Sequence, residues 1–250
     1  MNLSQPYQRI VRPFANSNNY VRTISNCYII GDSYAKDRTI LSRAYQLIER
    51  DLKNIFDYIE PHDDNLNTYS HRNYELFLRA STEFEANCKA ILKANGYSKP
   101  VNFNITDYFK INKASKLHEY KVILNIWHPQ KKILQPFSTW NGLTYIPLPW
   151  YQAYNNVKHD RNINFKNASL KNLLESVAGL LVILFSQFSI FALNPYQVIE
   201  VFWGTEENGY CTDNSLFAVV SPNSWLEAEK YDFDWNSIKS NSNPFKQYPF

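Results

Sequence analysis

ASLKNLLESVAGLLVILFSQFSIFA, residues 168–192, decides the fold class. From Val177 to Leu193 the run is apolar apart from Gly179, Ser186, Gln187 and Ser189. A spanning helix needs about 20 mostly apolar residues with aromatic and basic belts at its ends. This run is short, contains Gln187 and lacks those belts, while its first turns, SLKNLLESV, are amphipathic. A helix apolar on all sides is otherwise one buried at the centre of a domain or a dimer. The stretch therefore predicts a central core helix over 168–192, with Asn167 as its N-cap.

Other helices must surround such a core. Leu41, Ala44, Ile48, Leu52, Ile55 and Ile59 recur at helical spacing and predict a helix over 37–59, which Pro61 stops. Phe77, Ala80, Phe84, Cys88, Ile91 and Leu92 predict a second over 72–95. Asn95–Gly96 closes it, since both residues tolerate the left-handed conformation that ends helices. A third is expected from about Trp150 to Asp160, followed by a polar loop, RNINFKN. VRTISNCYIIG, residues 21–31, reads as a strand that ends at a turn. Residues 101–148 form a mixed insert. TDYFKINKASKLHEY suits a short helix, and KVILNIW and KKILQPF suit a hairpin or two short strands. LFAVV is a further strand in the C-terminal extension, 194–250, whose last residues are expected to fray.

Of 250 residues 44% are hydrophobic and 16% aromatic, with only 6 Gly, which excludes a disordered chain and supports one single domain, mainly α (α+β). Cys27, Cys88 and Cys211 are too few and too far apart for a disulfide framework or a zinc site. MNLSQPYQRIVRPF has no apolar signal core, which points to the cytoplasm. The net charge of +3 conceals a basic middle: residues 89–171 hold 13 basic and 3 acidic side chains, residues 172–250 hold 3 and 9. That middle either meets phosphate-rich partners such as RNA or docks on the chain's own acidic end. Trp127, Trp140, Trp150, Tyr145 and Tyr151 interleave with it, and either stack on unpaired bases or fill the core.

The chemistry-bearing stretch is WYQAYNNVKHDR, residues 150–161. On a helical wheel Trp150, Ala153, Tyr154 and Val157 face the core, while Asn155 and His159 share the opposite side. An imidazole that titrates near neutrality can take the proton of a ribose 2′-hydroxyl. Lys158, Arg161 and Lys166 can hold phosphate, and Asn155 can orient the imidazole. The bland alternative is a solvated helix end. His62 beside Asp63 and Asp64 lacks a second ligand pair, so no metal is expected.

Helix, YNNVKH, polar loop and long apolar helix resemble the HEPN superfamily of helical-bundle proteins. The resemblance implies an Arg-x(4–6)-His motif before the last long helix, a homodimer, and metal-independent, cofactor-free ribonuclease activity in toxin–antitoxin, abortive-infection or phage-defence systems. Asn155 and His159 match, but Tyr154 stands in the arginine's place. Glu85 and Lys89 match an accessory Glu-x-x-x-Lys; four-residue Glu–Lys spacing is also an ordinary helix pair. Arg79 and Glu83 are expected to form a half-buried pair that locks packing or supports the site. A non-catalytic interaction or regulatory protein remains the rival, with an antitoxin or other protein partner and no membrane.

Overall fold

The computed structural model describes residues 2–15, 26–193, 203–205 and 209–250. The long helices are α1 (Arg38–Phe56), α2 (His71–Ala94), α3 (Ile105–Ser115), α4 (Pro149–His159) and α5 (Leu170–Phe188). α5 lies at the centre, packed by α1, α2 and α4. From Val177 to Phe188 every residue is buried, which explains the apolar circumference. Leu170–Ala192 is long and apolar enough to cross a membrane, but 83% of its apolar 18-residue window is buried inside the fold. The cap is Ser169, not Asn167: the Ser169 hydroxyl accepts from the Asn172 N–H at 3.4 Å. At the other end, Ser189–Ala192 tightens into a 3₁₀ turn.

Gln187, the polar break in this helix, is fully buried and fully used. Its amide donates to Asn87 Oδ1 (2.9 Å) and its carbonyl oxygen accepts from Arg9 (3.2 Å), which also pairs with Asp37. Gly179 lets α4 approach, since a Cβ there would lie 3.1 Å from Trp150 Cζ2.

α2 buries the predicted stripe and ends as read, with Gly96 at φ +75°. Its cap is the Ser70 hydroxyl, which accepts from Asn73 N–H. α1 ends at Phe56, three residues short of the expected end, because Tyr58 and Ile59 turn back onto the Ile55 carbonyl. Its buried side includes Tyr45 and Glu49, with Leu41 and Ala44 only half-buried at the edge. RNINFKN is not a loop. It forms a helical turn, Arg161–Asn164, capped by the Asp160 carboxylate, then a 3₁₀ turn, Phe165–Asn167.

The β elements are β1 (Lys121–Leu124), β2 (Lys132–Leu134), β3 (Trp203–Thr205), β4 (Gly209–Cys211) and β5 (Phe217–Val220). They form a sheet of order β2-β1-β5-β4-β3 whose neighbours all pair antiparallel. β1 meets β5 through Val122 opposite Val219, so the insert and the C-terminal extension build one structure. The strand expected over 21–31 is not present where it can be seen. Asn26–Ile30 is a 3₁₀ turn, with Tyr28 buried against Tyr34, Tyr231 and Phe233, and residues 21–25 lie outside the described residues.

The C-terminal residues do not fray. Lys246 N–H donates to the Pro6 carbonyl, Gln8 N–H to the Lys246 carbonyl, and Tyr248 N–H to Asn95 Oδ1 at 2.7 Å. Tyr231 is buried between the two termini, its hydroxyl on the Ile10 carbonyl at 2.7 Å.

Candidate functional site

α4 starts at Pro149, whose missing N–H costs nothing in a first turn. It buries Trp150, Ala153, Tyr154 and Val157, the face that the wheel assigns to the core, and Tyr151 as well. Asn155 is half-buried, and Lys158, His159 and Asp160 are exposed. Among the described residues no side chain holds the His159 ring by a hydrogen bond or an ion pair.

Tyr154 is 1% exposed and packs edge-on against Phe77 of α2. Its hydroxyl accepts a hydrogen bond from Lys158 Nζ at 3.0 Å, and the same ammonium stands 5.0 Å from the ring centre. The bond to Tyr154 is the main cause that raises the Lys158 ammonium above its ordinary value, with partial burial working against it. The turn after α4 carries Arg161, whose guanidinium lies 5.6 Å over the Tyr74 ring. Phe165 anchors that turn between Tyr69, His71 and Tyr74. Lys166 points outward and is exposed.

Glu85 and Lys89 pair at 3.4 Å. Glu85 also accepts from the Tyr151 hydroxyl at 2.8 Å, which ties α2 to α4. Burial and the neighbouring Glu85 push the Tyr151 phenol far up, so it stays a donor. This bridge escaped the sequence reading, because Tyr151 and Glu85 are 66 positions apart. The structure thus gathers Glu85, Lys89, Tyr151, Tyr154 and Lys158 between two helices, with His159, Arg161 and Lys166 beyond them.

Arg79 and Glu83 stand elsewhere. Arg79 donates to Asp51 of α1 at 2.5 Å, so the expected lock exists but with a different acid. Glu83 is half-buried, and burial raises its carboxyl, with Arg79 opposing.

Trp127, Trp140, Trp150 and Tyr151 are all buried, and Tyr145 packs partly against the core. The open question about these rings is settled in favour of core filling. Among the described residues the basic middle also meets the acidic end, where Lys116 pairs with Glu229 at 3.0 Å and covers Trp225. Asp63, beside His62, accepts from Trp127 and Lys132, and among the described residues no three His, Cys, Asp or Glu converge. Comparison with family models, with curated proteins and with solved structures finds no match, so the likeness to HEPN proteins rests on the residues of α4 and α2 alone.

Proposed function

We propose that the chain is an RNA-directed helical protein whose contact surface is the exposed end of α4 and the turn that follows. The observation that supports this is the kind of partner that Lys158 and Arg161 have, one that Lys110, over the Tyr97 ring, shares. Lys99, Lys116 and Lys132 spend their charge on Asp107, Glu229 and Asp63. Lys158 and Arg161 are held instead by the neutral rings of Tyr154 and Tyr74. Neutral partners orient a cation without pairing its charge, and Glu85, whose charge also bears on Lys158, is itself tied to Lys89 and Tyr151. With Lys166 and His159 exposed close by in sequence, the two would make an anion-binding surface.

Cleavage is a second reading, favoured by the uncommitted ring of His159. In it His159 is the general base, Asn155 its support, and Lys158 replaces the family arginine at the scissile phosphate. It needs neither metal nor cofactor. The resemblance adds a homodimer, a cytoplasmic setting, a protein partner such as an antitoxin, and a role in toxin–antitoxin or phage defence.

Fluorescence anisotropy with single-stranded RNA tests the first reading. Affinity is expected to fall steeply with salt, and Lys158→Met and Arg161→Met are each expected to lower the salt slope by about one. No affinity at low salt overturns it. Incubation of mixed RNA in EDTA tests the second: His159→Ala is expected to slow cleavage about 100-fold or more. Equal cleavage by both proteins, or none by either, removes the catalytic role and leaves binding untouched.

A further inference from the structure

Asn141–Gly142 opens a loop, residues 141–146, that follows the 3₁₀ turn Ser138–Trp140. Both ends of this loop hang from one buried residue. The Trp140 carbonyl accepts from Asn112 Nδ2 at 2.7 Å, and Trp140 Nε1 donates to the Ile146 carbonyl at 3.1 Å. The indole is packed against Phe109 and Phe137. Between these anchors Asn141, Gly142, Leu143 and Thr144 are exposed, Leu143 fully. Among the described residues neither the Asn141 side chain nor the Gly142 N–H has a hydrogen-bond partner. A Cβ built on Gly142 would meet no atom within 4 Å.

Asparagine before glycine is a reactive pair. The peptide nitrogen of the second residue can attack the side-chain amide carbon of the first. Glycine, without a Cβ, neither crowds that nitrogen nor restricts the rotation that brings it in. A C–N bond forms, the side-chain nitrogen leaves as ammonia with the proton of the peptide N–H, and a cyclic imide remains. Water then opens the imide at either carbonyl, which gives aspartate or isoaspartate. Asn141 rests in the helical region at φ −71° and ψ −9°, so its peptide must rotate before attack, and at Gly142 it rotates into open space.

A second Asn–Gly pair in the chain is held shut. Asn95 is buried, its Nδ2 donates to the Gln8 and Ile91 carbonyls at 2.8 Å each, and its Oδ1 accepts from Tyr248 N–H at 2.7 Å. The Gly96 N–H is engaged as well, on the Lys93 carbonyl at 3.0 Å. An amide fixed by three hydrogen bonds turns toward the next nitrogen only when that part of the fold opens. In a third pair, Asn208–Gly209, Asn208 lies outside the described residues. We propose that Asn141 is a self-modifying site, which cyclises on the Gly142 nitrogen in the folded chain and becomes aspartate and isoaspartate while Asn95 stays intact. The reaction takes water as its co-reactant and needs no enzyme. It adds a carboxylate to the basic middle of the chain. Neither anchor at Trp140 uses a reacting atom, so the loop changes while its base holds.

The test is to age the intact chain at pH 8, digest it, and follow each site by mass spectrometry with fragmentation that separates aspartate from isoaspartate. Conversion at Asn141 is expected to run at least about tenfold faster than at Asn95, where three hydrogen bonds must open first. In concentrated urea the two sites are expected to react alike. Gly142→Ala, which the open space there accommodates, is expected to slow Asn141 about tenfold by crowding the nitrogen. No conversion at Asn141 in the folded chain overturns the proposal, and so does a rate no faster than that of Asn95. A rate ratio that urea leaves unchanged overturns the protection of Asn95 by the fold. A Gly142→Ala chain that reacts as fast as wild type overturns attack by the Gly142 nitrogen. The urea comparison uses the wild-type chain, so it carries the test if that variant does not fold.

Discussion

At Tyr154, a single side chain separates what this chain resembles from what it contains. The phenol is buried against Phe77 and its hydroxyl holds Lys158, so the cation that reaches the surface comes from the next turn of the helix. Tyr154→Phe is expected to cost about 1 kcal/mol in urea unfolding, the net value of one hydrogen bond, and, under the proposed RNA-directed function, to weaken RNA binding by releasing Lys158. Tyr154→Arg, which places the arginine of the HEPN motif there, is expected to cost more than about 3 kcal/mol, because a guanidinium would replace a buried, packed ring beside the Lys158 ammonium. A variant as stable as wild type would show that this pocket can open. Glu175 supplies a pH dependence. Its carboxyl binds a proton more tightly folded than unfolded, so its contribution is present in full below about pH 4.5 and is lost as pH rises through about 7. Roughly 3 kcal/mol is at stake by pH 8, and Glu175→Gln is expected to flatten the stability–pH curve over that window.

At the scale of the element, α5 owes its place to its apolar circumference and its orientation to Gln187. The amide links α5 to Asn87 of α2 and to Arg9 of the N-terminal segment. Gln187→Leu raises the hydrophobicity of the helix, yet is expected to destabilise by about 2–4 kcal/mol, since Arg9 and Asn87 lose a partner inside the core. A thermal melt at or above the wild-type temperature would refute that. The helices were legible because their apolar residues recur at 3.6-residue spacing over many turns, a signal each segment carries alone. The ends were less so. Asn167 and Ser169 are both good caps, and only the register of Asn172 N–H selects Ser169.

For the whole molecule, the termini act as one clamp. Tyr231 sits between Tyr7, Phe14 and Tyr28, with its hydroxyl on Ile10. Tyr231→Ala is expected to cost about 3–5 kcal/mol by equilibrium denaturation, as for other large buried aromatics, and to expose the first residues to proteolysis. A small loss would mean that the termini fold independently. The sheet has the same character: β1 and β5 are nearly 100 positions apart and pair residue for residue.

The sequence by itself determined the long helices, the short strands β1 and β2, the strand at 217–220 and the outward side of α4, because periodicity and turn chemistry are local. Tertiary structure alone decided that the insert and the C-terminal extension share one sheet. It decided that the last residues are packed, and that Arg79 answers to Asp51 and Tyr151 to Glu85. The same holds for the 168–192 stretch. Its composition required burial, but only the arrival of Arg9, Asn87 and Trp150 fixed which side chains meet Gln187 and Gly179. Such contacts join residues far apart in the chain, and a polar group's partner is set by which surfaces meet rather than by the neighbours it has in sequence.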